Sequence, residues 1–305
     1  MNVLSHEQFE KAKTFVYEKG RPLDRAWLAY HFENGSKENV LRELEKYQNQ
    51  DGGFGNKLEP DFFLVESSPM ATSVAFQYLT AMMIPSHHPI VQKGMAYLID
   101  SYDDKRGRWT SIPQAVNDVP HAPWWHFDEV EGRVPVEKYW GNPVAELTGY
   151  LRYYADLVPQ QLVQQLTERC LQHFSDMTVF EMHEVLCYVS LANHVDTDDR
   201  HMIIGKIHDH LFELVEADSD KWDGYGMPPQ TLVHSPQSPF FEPLAESIDQ
   251  NLDYVITQQI EQGSWEPTWA WGQYEQDWLQ AKEWWRSRIT VDTLIQLHRF
   301  GRLHV

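Results

Sequence analysis

Two stretches, YQNQDGGFG at residues 47–55 and QQIEQGSW at residues 258–265, share one spacing: Gln48-x-x-x-Gly52-x-Phe54 and Gln259-x-x-x-Gly263-x-Trp265. Two looser copies carry Asp in place of Gln. They are Asp103-x-x-x-Gly107-x-Trp109 and Asp220-x-x-x-Gly224, where Gly226 replaces the aromatic beside Tyr225. Each copy follows a stretch with helical periodicity, so the recurring unit is a helix with its turn. Such units cannot bury an apolar face alone and stack as arrays of helix pairs. The long Gln, or Asp, can bond the last free carbonyls of its helix or the amides of the loop. Gly takes a positive φ just past the helix end, and the aromatic folds back over the turn. These residues read as a structural staple rather than as catalytic groups.

Working outward, Ser68-Pro69 and Asn142-Pro143 each place a capping residue before a proline at the first helical position, and Glu242-Pro243 repeats the signal weakly. The periodicity predicts inner helices at 22–33, 69–83, 143–156, 179–193 and 288–300. Outer helices are predicted at 36–48, 89–102, 160–174, 199–216 and 243–260, with a degenerate turn near 174–179. Pro-rich 226–243 replaces one lost helix. No strand pattern of useful length occurs. The expected fold is all-α, a single domain over 1–305: an α/α toroid of about five to six helical hairpins. Its outer-to-inner links are long (55–68, 110–142, 224–242 and 266–287) and are expected on one rim, where long loops carry function.

The bulk numbers narrow the function. A formal charge of -20 over 305 residues argues against nucleic acid, which requires a basic footprint. Two cysteines, Cys170 and Cys187, imply no disulfide framework. The first twenty residues read as a charged amphipathic helix rather than a signal peptide, and no apolar run reaches spanning length. A cytoplasmic protein is the expectation, with its oligomeric state open. Twelve Trp, fourteen Tyr and fourteen Phe supply aromatic surface for a core and a ligand pit.

The stapled turns resemble the QW repeat of the terpenoid cyclase and protein prenyltransferase superfamily, and the match covers most of the chain as spaced units. The stretch DGGFGNKLEPD followed by SSPMATSVAFQYL also looks like bacterial proteins described as prenyltransferase- or squalene-cyclase-like. The resemblance implies a fold with a central pit that holds a small, apolar or isoprenoid-like ligand. The superfamily's catalytic signatures transfer poorly. Its Asp-x-Asp-Asp acid is matched only by Asp196-Thr197-Asp198-Asp199, which falls between an inner and an outer helix and reads as a helix cap. The zinc-binding Asp-x-Cys pair is missing. His183 and Cys187, four apart on one helix face, read as a satisfied histidine and a buried thiol rather than a metal site. No metal or other cofactor is expected.

Two loop clusters hold the candidate chemistry. Glu59, Asp61 and Glu66 follow the first turn and could raise one another's pKa to give a general acid. The second cluster, His121-x-x-Trp124-Trp125-His126-Phe127-Asp128-Glu129, combines an aromatic platform with an acid or base. The candidate catalytic residues are Glu59, Asp61, Glu66, His126, Asp128 and Asp277; the candidate ligand-binding residues are Trp124, Trp125, Trp140, Trp269 and Trp271. For each the plainer alternative is a solvated loop or an aromatic packing against the toroid. Two other functions stay open. One is a carbohydrate-active toroid that uses Asp61, Glu66, Asp128 or Asp277 as paired carboxylates. The other is a non-catalytic module binding a small ligand or a partner.

Overall fold

The computed structural model describes residues 1–304. Among them are thirteen α-helices, and extended backbone pairs only as isolated bridges. The helices are α1 (His6–Lys19), α2 (Pro22–Phe32), α3 (Lys37–Leu44), α4 (Pro69–Ala81), α5 (Pro89–Asp100), α6 (Gly141–Tyr153) and α7 (Gln160–Asp176). They continue with α8 (Met182–Ala192), α9 (Thr197–Asp209), α10 (Leu211–Leu214), α11 (Pro229–Leu232), α12 (Ala245–Thr257) and α13 (Glu275–Arg299). The all-α expectation therefore stands. None of these helices is long and apolar enough to cross a membrane. Contacts divide the chain into two compact units, a middle unit of residues 44–209 and 271–274 and a terminal unit of residues 1–43, 210–270 and 275–304.

In the middle unit the helix starts follow local chemistry. Ser68 Oγ accepts the Ala71 amide at 3.0 Å, with Pro69 at the first helical position of α4. His88 caps α5 ahead of Pro89 in the same manner. Asp196 Oδ1 accepts the Asp199 amide at 3.1 Å, so the acidic run before α9 is a cap, as its position suggested. Helix α7 buries Val163, Leu166, Cys170 and Phe174, one stripe of an amphipathic helix. Helix α6 is different: every residue from Gly141 to Leu151 is buried, and it packs against α4, α7 and α8. Asn142 and Pro143 form a non-helical kink, and Asn142 Oδ1 accepts the Cys187 thiol at 3.8 Å. The Gly141 amide is bonded by the buried Glu184 carboxylate at 2.6 Å.

In the terminal unit, Ser5 and Gln8 form a capping box that starts α1. Helix α1 packs against α2 and α13. Leu4 donates to the Arg302 carbonyl at 2.8 Å, and the buried Arg302 guanidinium bonds Asp249 and Asp253 at 2.8 and 2.6 Å. The stretch 266–287, expected to be loop, is helical from Glu275 onward. Trp278, Trp284 and Trp285 are therefore helix residues. Their aromatic density suggested a loop, but Glu275 and Asp277 favour a helix N-terminus there.

The two glutamine turns agree bond for bond. Gln48 Nε2 donates to the carbonyls of Gly52 and Ile90, both at 2.9 Å; Gln259 Nε2 donates to those of Gly263 and Gln8, also at 2.9 Å. Ile90 lies in the first turn of α5 and Gln8 in that of α1. The side chain thus ties the end of one helix to the start of another, rather than capping its own helix or bonding loop amides. Gly52 (φ 90°) and Gly263 (φ 93°) are pressed against that second helix, where a Cβ would sit 2.4 Å from the Lys93 carbonyl and 2.5 Å from that of Lys11. The aromatic residue's amide then donates to a threonine hydroxyl, Phe54 to Thr72 at 3.0 Å and Trp265 to Thr290 at 3.3 Å.

The aspartate copies behave otherwise. Asp103 Oδ1 accepts the amides of Lys105 and Arg106 at 3.0 and 3.1 Å, within its own turn, while Trp109 Nε1 reaches the Leu98 carbonyl at 2.8 Å. Asp128-x-x-x-Gly132 forms the same turn, with amides of Val130 and Glu131 at 2.8 and 2.9 Å and Gly132 at φ 64°. The copy at 220–224 builds no such turn. There Trp222 Nε1 donates to the Glu216 carbonyl at 2.7 Å. Near 174–179 a lysine takes the staple's place: Lys206 Nζ donates to the carbonyls of Phe174, Ser175 and Met177 at 2.8, 2.6 and 2.8 Å, closing the end of α7.

Candidate functional site

The middle unit gathers parts of three of the long links. Phe62 and His121 form an antiparallel bridge, flanked by bonds from Phe63 to the Pro120 carbonyl and from Ala122 to the Asp61 carbonyl, both 2.8 Å. The segment 271–274 joins them. Trp271 Nε1 donates to Asp61 Oδ1 at 2.8 Å, and Gln273 Nε2 donates to the His121 carbonyl at 2.8 Å. Trp271 is 2% exposed and meets Phe63 edge-on, and Trp125, 6% exposed, meets Phe62 edge-on. Asp61 and Glu59 are buried, and Glu59 Oε1 accepts the Asp61 amide at 3.2 Å. Glu66 is exposed and does not converge with them. Asp61 therefore serves as an acceptor that latches an indole.

A pair of histidines adjoins this cluster. His121 Nδ1 lies 2.6 Å from the Val119 carbonyl, which can only accept, so Nδ1 carries the hydrogen. Its Nε2 is then an acceptor and takes a hydrogen from His126 Nδ1 at 3.1 Å. This leaves His126 Nε2 as a lone pair on an exposed ring, a base in solvent reach. Burial holds His121 below the usual histidine range against the Val119 carbonyl, and the charge of a protonated His126 pushes the same way. The two rings lie nearly parallel, with centroids 5.3 Å apart.

The remaining predicted residues are dispersed. Trp124 is half-buried beside the buried Trp125, so the tandem is not the exposed platform its sequence suggested. The indole N–H of Trp125 is buried without a partner among the described residues. Asp128 is exposed, and the two turn amides hold its carboxyl below the usual range, the wrong direction for a general acid. Asp277 sits in the first turn of α13, where its charge suits the helix dipole. In the terminal unit, Trp269 meets Trp285 edge-on at 5.1 Å. Trp140 is half-buried in the middle unit, 5.0 Å from the His173 ring. His183 is exposed and bonded to Glu181 at 2.7 Å, whereas Cys187 is buried, so the two do not form one site.

The group that sequence reading missed is Glu146 on α6. Tyr150 Oη and Gln77 Nε2 both donate to its Oε1, at 2.7 and 3.0 Å, the latter from α4. Burial pushes this carboxyl up, against the three side-chain hydrogen bonds it receives, and favours the protonated form. Burial also pushes up the Tyr150 hydroxyl and the Cys187 thiol, each with Glu146 as the next contributor. On the two helices that pack against α6, Met70 and Gln77 of α4 and Met182, Leu186, Val189 and Ser190 of α8 are only half-buried. Their spacing of three, four and seven marks one partly open face on each helix. The signal was present in the sequence: Glu146 is the only charged residue in GNPVAELTGYL, residues 141–151.

Comparisons of the chain with protein-family models, with curated proteins and with solved structures find no match.

Proposed function

We propose that the hairpins close into an α/α toroid of the terpenoid cyclase and prenyltransferase type. In this reading the chain binds a small, largely apolar, isoprenoid-like ligand in a central pit, against the half-open faces of α4 and α8, which flank the buried α6. Glu146 carries the proposal. Its carboxyl is pushed toward the neutral form by burial, and its helix packs against α4 and α8, which carry the half-buried Met70, Met182, Leu186 and Val189; one polar group among apolar side chains suits a ligand pocket. A neutral Glu146 can donate a hydrogen bond to a ligand hydroxyl or a proton to an alkene, which an ionised one cannot. The clasps support the ring. Thr72 and Thr290 place α4 and α13 in equivalent roles, and Gln48 and Gln259 do the same for α5 and α1. The first helix of the chain thus completes its last hairpin.

A second reading, a non-catalytic binding module, draws support from Trp271, whose buried ring is latched to Asp61. The paired-carboxylate hydrolase has weaker support, because Asp61 and Asp128 are already engaged as acceptors. Farnesol and geranylgeraniol are the probes, with binding followed by native mass spectrometry and calorimetry. One saturable site is expected, blocked by Leu186→Trp in a protein that keeps its helical circular dichroism. Absence of binding, or binding indifferent to Leu186→Trp, rejects the reading.

A further inference from the structure

A second site runs along α7, built from different side chains. A cleft of about 330 Å³ is lined by Trp140, Arg169, Gln172, His173 and Asp176. It shares Arg169 and Gln172 with a cleft of about 490 Å³ that extends past Gln165 and Glu168 to Tyr102 and Asp104. Gln165 and Asp176 lie eleven residues apart, so the groove follows the helix for about 16 Å.

One wall is fixed from inside. Glu184, 2% exposed, accepts both the Gly141 amide at 2.6 Å and His173 Nε2 at 2.9 Å. Gly141 permits this approach, since a Cβ there would sit 2.9 Å from Glu184 Oε1 and 2.6 Å from the Tyr188 ring. With the hydrogen on Nε2, His173 Nδ1 is a lone pair held in one orientation at the edge of the groove. Arg169 donates to Tyr102 Oη at 3.4 Å, which leaves further N–H groups of the guanidinium open to the cleft.

We propose that this groove binds a neutral oligosaccharide, with the Trp140 ring as stacking platform, His173 Nδ1 as a fixed acceptor and Arg169 as a donor. Sugar rings present an apolar C–H face and a rim of hydroxyls that both donate and accept. The groove supplies an aromatic at each end and amide, guanidinium, imidazole and carboxylate groups between. Its acidic side chains, Asp104, Glu168 and Asp176, outnumber its one arginine, and the chain carries a formal charge of -20, so acidic glycans are disfavoured. The length along α7 suits more than one ring.

The test is saturation-transfer NMR and calorimetry on the full chain with cellotriose, maltotriose and N-acetylchitotriose, and with trigalacturonate as the anionic control. At least one neutral trisaccharide binds saturably and more tightly than trigalacturonate. Trp140→Ala weakens that binding about tenfold or more, Trp140→Tyr recovers part of it, and His173→Phe, which removes the acceptor, weakens it as well. Farnesol binding is unchanged by Trp140→Ala, which separates this site from the inner-helix site. The proposal is overturned if no neutral trisaccharide binds, if trigalacturonate binds best, or if a well-folded Trp140→Ala protein binds as the parent does.

Discussion

Gln48 and Asp103 hold the same place in the same spacing, four residues before a glycine of positive φ. Gln48 donates to two carbonyls, one of them on α5, whereas Asp103 accepts two amides of its own turn. The chemistry decides the difference. An amide can donate, and its longer side chain reaches a neighbouring helix; a carboxylate can only accept, and its nearest donors are the free amides of the turn that follows. One sequence pattern therefore yields an inter-helix tie in one place and a local turn in another. The carboxyls show the same contrast. Glu146 is held by a donor from another helix and is pushed up by burial, while Asp128 is held by its own loop and pulled down.

The glycines give the sharpest test, because their surroundings are graded. Gly52→Ala and Gly263→Ala must displace a backbone carbonyl and hold a strained φ, and each is expected to cost about 3 kcal/mol or more in chemical denaturation. Gly107→Ala first meets the Arg169 guanidinium, which can swing away, so about 2 kcal/mol is expected; Gly132→Ala meets open space and pays the φ cost alone, about 1 kcal/mol. Equal losses at all four positions would remove the distinction between tie and turn.

The side chains come next. Gln48→Ala or Gln259→Ala leaves carbonyls of two segments without their donor, an expected loss of about 1–3 kcal/mol. Asp103→Ala, which removes a cap-like acceptor, is expected to cost about 1 kcal/mol. Hydrogen exchange compares the two single variants: protection is lost at the start of α5 in Gln48→Ala and stays local to the turn in Asp103→Ala.

The pH dependence separates the two carboxyls. Glu146 has a folded-state pKa above 4.5, so the native state keeps its proton to higher pH than the unfolded chain does. Its contribution to stability is full below the unfolded value and falls as pH rises through the folded one. Glu146→Gln should flatten that decline in pH-resolved denaturation and stabilise the protein at neutrality. Asp128 has the opposite sign: its folded value lies below 3.8, so its contribution is present above 3.8 and is lost as pH falls through the folded value. Being exposed, it should give the smallest effect of the set, with Asp128→Asn slightly weakening the acid limb alone.

Much of the helical order was legible because prolines and caps mark it. The starts of α2, α4 and α5 fall at Pro22, Pro69 and Pro89, where the sequence placed them. What escaped has physical reasons. The first half of α13 carries its tryptophans on a helix, and aromatic density alone does not separate a helix from a packed loop. The Asp128 turn lacks the aromatic that flagged the others, although DEVEGR at 128–133 repeats the spacing of DDKRGR at 103–108. Asp61 and Trp271 meet across 210 residues, a distance no local pattern carries. Glu146 was hidden for a simpler reason: apolar periodicity marks its helix, and the donor that fixes its one charge, Gln77, comes from another helix.

The most direct test of the account is the protonation of Glu146, followed by 13C NMR of its side-chain carboxyl and assigned by loss of the signal in Glu146→Gln. The account predicts a midpoint above 4.5 and a shift of the resonance when farnesol is added. A midpoint in the ordinary carboxylate range, with no response to farnesol, would contradict it.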